Sequence, residues 1–499
     1  MVGILKRAER ERNFICTMDE FDPRVMIPID PTVTKIFVPG LKEKPNVIPI
    51  RKLVNGKYRV VSCKKINQDT RRCQIFSVQI IAWREGFYYP LGIVTEILHV
   101  ALTSEEGLRI LNLEYGLERK HPAVVTKELA KYSTSSKPNP SKENLRDCRS
   151  YLTFTVDPQG ARDLDDAVSV RDLGHQYEIG IHIADVASIV PKGSAVDVEA
   201  KKRGVSYYAP EQEPVHMLPP RVSNDICSLL PQKDRRVISL FVIVEKKTDK
   251  VTDGNFTLSV ICSDWQLSYE EAELCIQDHY RGGADALRFD TLEDCLAVAY
   301  HFSRMHRKSR LKEDCFYDQL DEGSSPGNRR SHQMIEELMI MFNSFVAAFL
   351  TKKEVTKNVT PVRCQGEPNP QQLLLMKNKY SHIIPLSLHL SHCLGDEPSN
   401  QQPPQKVEFC LLGPIWEHLQ SAAHLSDLHK ILDLVVTDDI HPKLAPVALE
   451  FRKLLGRSYF CRSNSTAQSK VGHYSMKVDS YTWASSPIRR YMDIVVQRH

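Results

Sequence analysis

The sequence predicts an α+β protein, in which a small β-rich domain is followed by a larger domain of mixed α and β structure. Three observations support this fold class. Short strand-like runs dominate residues 1–125, strand-like and helix-like patterns both occur after residue 150, and a polar stretch containing proline separates the two regions. A chain of 499 residues is also too long for one compact core and favours two or three domains.

The first region, residues 1–125, carries strand-like runs at residues 35–38, 75–83 and 92–98. Turn-forming pairs such as Pro39-Gly40 and Asn55-Gly56 lie between such runs. About five short strands in a region of this length are typical of a small barrel of the oligonucleotide-binding (OB) type. A β-domain that binds no ligand fits the same pattern, and the pattern alone leaves both interpretations open.

Residues 126–150 are predicted to be a linker. Their centre, KYSTSSKPNPSKENL at residues 131–145, is polar, contains proline and has no apolar period. A second polar stretch, GDEPSNQQPPQK at residues 395–406, predicts a loop inside the larger domain.

The larger domain, residues 151–499, contains both kinds of pattern. Strands are predicted at residues 151–156, 167–170, 177–186 and 237–244, and in the third of these Ile179, Ile181 and Ile183 share one face. Residues 332–350 and 446–455 have the composition and apolar spacing of helices. The chain stops within an apolar, helix-like run without a stop signal, so we expect this domain to be incomplete at its C-terminus.

Composition narrows the function classes. The chain is 42% hydrophobic and 26% charged, which is typical of globular proteins and excludes a mainly disordered chain. The net charge of +4 permits a nucleic-acid partner without requiring one. The 13 dispersed cysteines include no C-x-x-C pair, which argues against a zinc ribbon and predicts reduced thiols in the cytoplasm and/or nucleus. The longest apolar run, residues 338–350, is too short to span a bilayer, and no membrane partner is expected.

The most informative stretch is FTVDPQGARDLDDAVSV at residues 154–170. Four aspartates, Asp157, Asp163, Asp165 and Asp166, lie within ten residues and between two strand-like runs. Carboxylates this close repel one another unless a cation lies among them. Hard divalent ions bind carboxylate oxygens together with water and phosphate, and a pair of such ions can hold both the attacking and the leaving oxygen of a phosphodiester. The cluster therefore predicts a metal-assisted hydrolytic site.

Two other interpretations of the acidic cluster compete. A calcium-binding EF-hand does not fit, because the glycine at its sixth position and the terminal glutamate are missing. An acidic surface turn that binds nothing remains an alternative. The strand-like runs on both sides argue against it, but spacing alone does not decide.

A second motif, SSPIRRYMD at residues 485–493, stands near the other end of the chain. Together with F-T-V-D-P-x-x-A-x-D-L-D-D-A, it resembles the RNB catalytic domain of the ribonuclease II/R family. The runs MLP at residues 217–219, DICSL at 225–229 and IEELM at 335–339 are similar to the family too. The resemblance covers roughly residues 146–499, and residues 25–125 are similar to the cold-shock-type barrel that precedes this domain.

The resemblance implies a hydrolytic 3′→5′ exoribonuclease that acts on single-stranded RNA and releases nucleoside 5′-monophosphates. By motif, Asp157, Asp163, Asp165 and Asp166 match the family's magnesium ligands, with manganese as an alternative that carboxylates alone do not distinguish. Arg489 matches a residue that holds phosphate near the cut. An arginine fork suits that role because it bridges two oxygens and stays charged.

Four further residues are implied to bind RNA. Tyr208 matches a tyrosine that packs on the terminal nucleotide, Tyr269 an aromatic along the RNA channel, and Glu336 a glutamate that anchors the 3′ end; Arg490 follows Arg489 in the motif. Each also has a structural alternative. The tyrosines fit a core or rim position, Glu336 a surface salt bridge, and Arg490 a structural ion pair with Asp493.

Two functions from different classes follow. The first is the exoribonuclease. The second is a non-cleaving RNA-binding or scaffold module of a larger helicase-containing transcriptional coactivator or antiviral factor. In both cases the expected partners are single-stranded RNA and the helicase modules of a longer parent chain.

Overall fold

The computed structural model describes thirteen segments of the chain: residues 12–41, 47–54, 56–67, 74–99, 103–117, 119–131, 144–209, 212–280, 288–311, 330–383, 413–425, 443–464 and 472–499. It divides into two compact units. The first comprises Met1–Lys120 and Tyr208–Val215, and the second comprises His121–Tyr207 and His216–His499. The centre of the predicted linker, residues 132–143, and the predicted loop at residues 395–406 lie outside the described residues. The predicted domain boundaries stay predictions.

The first unit is built on a seven-stranded sheet. Its strands are β1 (Asn13–Met18), β2 (Val25–Pro28), β3 (Ile36–Phe37), β4 (Val47–Val54), β5 (Lys57–Lys65), β6 (Gln74–Ala82) and β7 (Leu91–His99). Their order is β3-β2-β1-β6-β7-β4-β5, and an additional pairing of β3 with β7 closes the sheet on itself. The three strands predicted in this region are confirmed, and the assignment to the OB type stays a prediction.

The closure of this sheet depends on a glycine. A Cβ atom on Gly92 of β7 would lie 2.5 Å from Cγ2 of Ile36 on β3, closer than side-chain atoms approach. Inside the closed sheet, Met26, Phe76 and Val94 are fully buried. The helix Ser104–Glu114 follows β7, and its last residue, Glu114, is buried and accepts a hydrogen bond of 2.7 Å from the backbone nitrogen of Ile15.

The second unit has a sheet of seven strands as its centre. They are β8 (Arg146–Asp147), β9 (Thr153–Asp157), β10 (Asp166–Asp172), β11 (Gln176–Ala184), β12 (Asp234–Glu245), β13 (Lys250–Cys262) and β14 (Trp265–Ser268). The order is β14-β9-β10-β11-β12-β13-β8, with β9 to β13 antiparallel and the two edge strands parallel to their neighbours. The predicted mixed α and β domain is thereby confirmed.

Helices cover both faces of this sheet. On one face, isoleucines of β11 pack against the helices Tyr269–His279, Leu292–Leu311 and Arg330–Lys352. On the other, Phe241 and Ala184 pack with residues of the helices Ala195–Arg203 and Tyr491–Gln497. The further described elements are the helices Ala123–Glu128, Val186–Ile189, Pro370–Lys379, Gly413–His424 and Leu444–Leu454 and the strands β15 (Pro361–Cys364) and β16 (Tyr459–Arg462).

The helix Arg330–Lys352 is long and apolar enough to cross a membrane by length and composition. Core helices of soluble proteins meet the same criterion, and 61% of its most apolar window is buried inside the protein. Met334, Leu338 and Phe342 pack in the core against the sheet. The sequence-based prediction of a buried helix at residues 332–350 is confirmed.

Candidate active site

The hairpin formed by β9 and β10 positions two of the four aspartates. Asp157 is the last residue of β9 and Asp166 is the first residue of β10. The antiparallel register pairs Phe154 with Val168, so the two carboxylates lie at the same end of the hairpin. Residues 158–165 connect the strands there and carry Asp163 and Asp165. The local alternation of the sequence is thus enough to bring the acids to one sheet end.

The connection between β9 and β10 is fixed by side chains from elsewhere in the chain. The hydroxyl of Ser228 donates to the backbone oxygen of Arg162 at 2.6 Å and accepts from the backbone nitrogen of Leu164 at 3.1 Å. Gln266 donates to the backbone oxygen of Ala161 at 2.9 Å. Sequence reasoning assigned no role to either side chain. The signal for Ser228 was its place in the DICSL run.

Asp165 joins the acidic cluster to the C-terminal motif. This side chain is buried, and its Oδ1 accepts a hydrogen bond of 2.7 Å from the backbone nitrogen of Ile488. Its Oδ2 lies 3.3 Å from Nε of Arg489. Residues from opposite ends of the second unit's sequence therefore meet at one point, as the resemblance of both motifs to one family implied.

The carboxylates perturb one another. Burial, and then the charges of Asp166 and Asp163, raises the pKa of Asp157 well above its usual value. Burial is also the main cause that raises the pKa of Asp166 to about 6, against the opposing charges of Arg489 and Arg490. Asp165 has a raised pKa for the same first reason, although Arg489 and the Ile488 hydrogen bond lower it. Without a cation, the site is therefore a group of buried and partly buried acids whose charged forms are disfavoured.

A divalent cation fits this donor set. The buried Oδ2 atoms of Asp157 and Asp165 have no hydrogen-bond partner in the described part of the chain. Within the same described segments, no three His, Cys, Asp or Glu side chains are gathered closely enough to hold a metal alone. Mg²⁺ is usually bound through one or two carboxylates together with water and substrate phosphate. The site therefore fits such an ion, and the four-ligand assignment stays a prediction.

The two arginines of the C-terminal motif have different environments. The side chain of Arg489 is 47% exposed, and its Nη2 donates to Oγ of Ser486 at 3.0 Å. Arg490 is only 17% exposed; it donates to the fully buried Asp493 at 2.6 Å and lies over the ring of Trp483. The geometry leaves Arg489 accessible to a ligand and gives Arg490 a structural partner. The RNA-binding role assigned to Arg490 stays a prediction.

The other three candidate RNA-binding residues have different environments. Tyr269 begins the helix Tyr269–His279, and its ring stacks on His332 with centroids 3.7 Å apart. Glu336 is exposed and lies 3.6 Å from the buried Arg307. Tyr208 is half-exposed and belongs to the first unit. Their roles stay predictions.

Asn343 is a further residue that sequence reasoning missed. Its buried amide donates to the hydroxyls of Tyr481 and Ser485, at 3.2 Å and 3.1 Å, and accepts from the backbone nitrogen of Ala484. The core helix thereby holds the segment that leads into the C-terminal motif. Its polar presence inside the apolar run at residues 338–350 was the available signal.

The chain is similar in sequence or in fold to several known proteins. The chain is 48% identical to the human 3′-5′ exoribonuclease HELZ2 over its whole length, and it spans 17% of that relative. Its fold is similar to yeast Ssd1, described as a pseudonuclease, with a TM-score of 0.68, 19% identity, and coverage of 100% of this chain and 55% of that one. Mycoplasma genitalium RNase R in complex with double-stranded RNA gives a TM-score of 0.63 and 20% identity, covering 100% of this chain and 78% of that chain.

At these identities, the two structures show a shared fold and nothing about activity. The family is shown by sequence instead. The RNB domain model matches residues 145–499, well over half of the chain and including both the acidic cluster and the C-terminal motif. The chain therefore belongs to the RNB domain family.

Proposed function

We propose that this chain is a hydrolytic 3′→5′ exoribonuclease whose reaction centre is formed by Asp157, Asp163, Asp165, Asp166 and Arg489. One observation carries the proposal. The buried carboxylate of Asp165 lies 3.3 Å from Arg489, at the sheet end where the charge of Asp166 raises the pKa of Asp157. The human relative named a 3′-5′ exoribonuclease supports the reaction class, because it is 48% identical over the whole chain.

The proposed chemistry divides between the acids and the arginine. A divalent ion held by these carboxylates, Mg²⁺ in our proposal, would neutralise their repulsion and polarise a phosphate oxygen. Arg489 binds the scissile phosphate through its two-pronged guanidinium, which stays charged at any physiological pH. Asp165 orients that guanidinium from the buried side, and the exposed side faces the substrate.

The proposed substrate is single-stranded RNA, shortened by one nucleoside 5′-monophosphate at a time. Tyr269 and Tyr208 would stack on bases, since aromatic stacking holds single strands without sequence preference. Glu336, beside Arg307, would bind sugar hydroxyls near the 3′ end, where a 2′-hydroxyl distinguishes RNA from DNA. We further propose that the chain works in the cytoplasm or nucleus. We also propose that it is part of a longer polypeptide that carries helicase modules, since it spans 17% of its human relative.

A non-cleaving RNA scaffold is the second candidate. One observation favours it: the described segments contain no ready-assembled group of three metal ligands. The buried Oδ2 of Asp157, which has no hydrogen-bond partner in the described part of the chain, favours hydrolysis, because a bound cation would satisfy it.

The deciding experiment incubates the chain with Mg²⁺ and 5′-labelled single-stranded RNA and quantifies both the shortened RNA and the released nucleoside 5′-monophosphates. Asp166→Asn should abolish release. The matched control is Asp172→Asn, which changes the far end of the same strand, where Asp172 pairs with Lys246. Hydrolysis in the control and not in Asp166→Asn supports the proposal, whereas RNA binding without any hydrolysis by the unmodified chain supports the scaffold.

A further inference from the structure

The indole ring of Trp483 is the meeting point of two positively charged side chains. Cζ of Arg490 lies 4.6 Å from the ring centroid, and Cζ of Arg363 lies 4.8 Å from it. Phe460 completes the contact, with its ring edge-on to the indole at a centroid distance of 5.1 Å. Arg363 and Phe460 are directly paired residues of β15 and β16, so this small sheet presents both to the indole.

Two guanidinium groups held this close repel each other. The pKa of Arg363 reflects this repulsion. Burial and the charge of Arg490 both lower it, against the effect of Tyr481. An aromatic face attracts cations through its negative quadrupole, and tryptophan does so most strongly. The indole therefore helps to hold both arginines, together with the pairing of Arg490 with Asp493.

A chain of short contacts leads from the indole to the proposed reaction centre. Arg490 donates to Oδ1 of Asp493, and the same oxygen accepts from the backbone nitrogen of Ser486 at 2.8 Å. Ser486 in turn accepts from Nη2 of Arg489. Two residues further on, Ile488 donates its backbone N–H to Asp165. The turn that carries Arg489 is thus anchored on one side by Asp165 and on the other by Arg490.

We propose that Trp483 is a positioning residue: by holding Arg363 and Arg490 over one ring, it fixes the turn at residues 486–490 and keeps Arg489 against Asp165. This inference rests on the proposed function and deepens it. Trp483 has ring contacts with Arg363, Arg490 and Phe460 in the described segments, so its effect on the reaction passes through Arg490 and the turn.

The test combines Trp483→Leu, Trp483→Phe and the double variant Trp483→Leu/Arg363→Gln, with Trp416→Leu as the matched control. Two quantities are measured: amide hydrogen exchange at Ser486 and Ile488, and kcat and KM for monophosphate release. In Trp483→Leu we expect faster exchange at both amides and a fall in kcat of about tenfold to a hundredfold with a smaller change in KM, since misplacement of a positioned group acts on the transition state.

The other variants separate positioning from general damage. Trp483→Phe keeps an aromatic face and should retain most of the protection and rate. Adding Arg363→Gln to Trp483→Leu removes the unshielded repulsion and should restore part of both. Trp416→Leu removes an exposed indole elsewhere in the second unit and should change neither.

Three results would overturn the inference: unchanged exchange and kcat in Trp483→Leu, an equal loss in Trp483→Phe, or a double variant worse than the single one. The exchange measurement needs no catalysis. If the unmodified chain cleaves no RNA while the exchange pattern follows the expectation, the proposed function fails and the positioning of the turn by Trp483 stands.

Discussion

Replacing the partly buried carboxylate of Asp166 should stabilise this protein. Burial raises the pKa of Asp166 from 3.8 to about 6. A carboxyl with a higher pKa in the folded state than in the unfolded state destabilises the fold whenever the unfolded chain is ionised. Asp166→Asn keeps the shape of the side chain and removes the charge. We therefore expect the variant to be more stable than the unmodified chain at neutral pH and in the absence of divalent ions.

The size of the effect follows from the same pKa values. The rise from 3.8 to about 6 corresponds to about 3 kcal/mol at pH 7 and to about half of that at pH 5. The penalty disappears below the unfolded pKa, where both states are protonated. The stability advantage of Asp166→Asn should therefore grow as the pH rises from 4 to 7. Burial of the new amide reduces the gain, so about 1–3 kcal/mol is expected at neutral pH.

Urea unfolding in EDTA at pH 4, 5, 6 and 7 measures this difference. Asp172→Asn is the control with the opposite sign, because a hydrogen bond from Lys246 lowers the pKa of Asp172. That exposed pair should cost little, and its loss should slightly destabilise the protein above the unfolded pKa. An Asp166→Asn variant that is no more stable at pH 7, or a gain that does not change with pH, would refute the account of the site as a group of acids whose charged forms are disfavoured.

Three further predictions follow from the same structure. Ser228→Ala leaves the buried backbone nitrogen of Leu164 and the part-buried backbone oxygen of Arg162 without their partner, so urea unfolding should show a loss of about 1–3 kcal/mol, accompanied by slower RNA hydrolysis. Glu337→Gln removes the carboxylate that pairs with Arg310 and His306 inside the core, and the same assay should show a loss of about 3–5 kcal/mol; a loss below 1 kcal/mol would contradict a buried ion pair. The sulfurs of Cys364 and Cys461 lie 3.7 Å apart, so diamide should oxidise them to a disulfide. The two thiol hydrogens are transferred to the diazene, which is reduced. Peptide mapping by mass spectrometry should detect the crosslink in the unmodified chain and not in Cys461→Ser.

Local patterns were sufficient for the elements that surround the site. The alternation at residues 177–186 predicts β11, and the acids between two strand-like runs predict the hairpin that carries Asp157 and Asp166. These features depend on neighbours in the sequence, which is why they could be predicted. The contact of Asp165 with Arg489 joins residues more than three hundred positions apart, and no periodicity encodes such a contact. Only the resemblance of two distant motifs to one family suggested it.

Two adjacent glutamates show that the motif did not predict which side chain is buried. Glu336 and Glu337 follow each other on one helix, yet the first side chain is 43% exposed and the second 1%. A step of about 100° around a helix is enough to move a residue from the surface to the core. The helical periodicity does predict that Glu337 is buried, because it lies on the same stripe as Met334, Leu338 and Met341, all of which are buried. The motif points to Glu336, whereas the stripe points to Glu337.

The fold alone does not decide between a nuclease and a scaffold, since this chain is similar both to an RNase R and to a pseudonuclease. The choice between these functions depends on how much the charged aspartates destabilise the folded protein. Residues whose removal would stabilise the protein by about 1–3 kcal/mol persist at sites where binding or catalysis needs them. A scaffold would be more stable with an amide at Asp166, whereas the charge of Asp165 also holds the turn through the backbone nitrogen of Ile488. The destabilisation that the stability experiment measures is therefore the physical reason to expect a cation at this site.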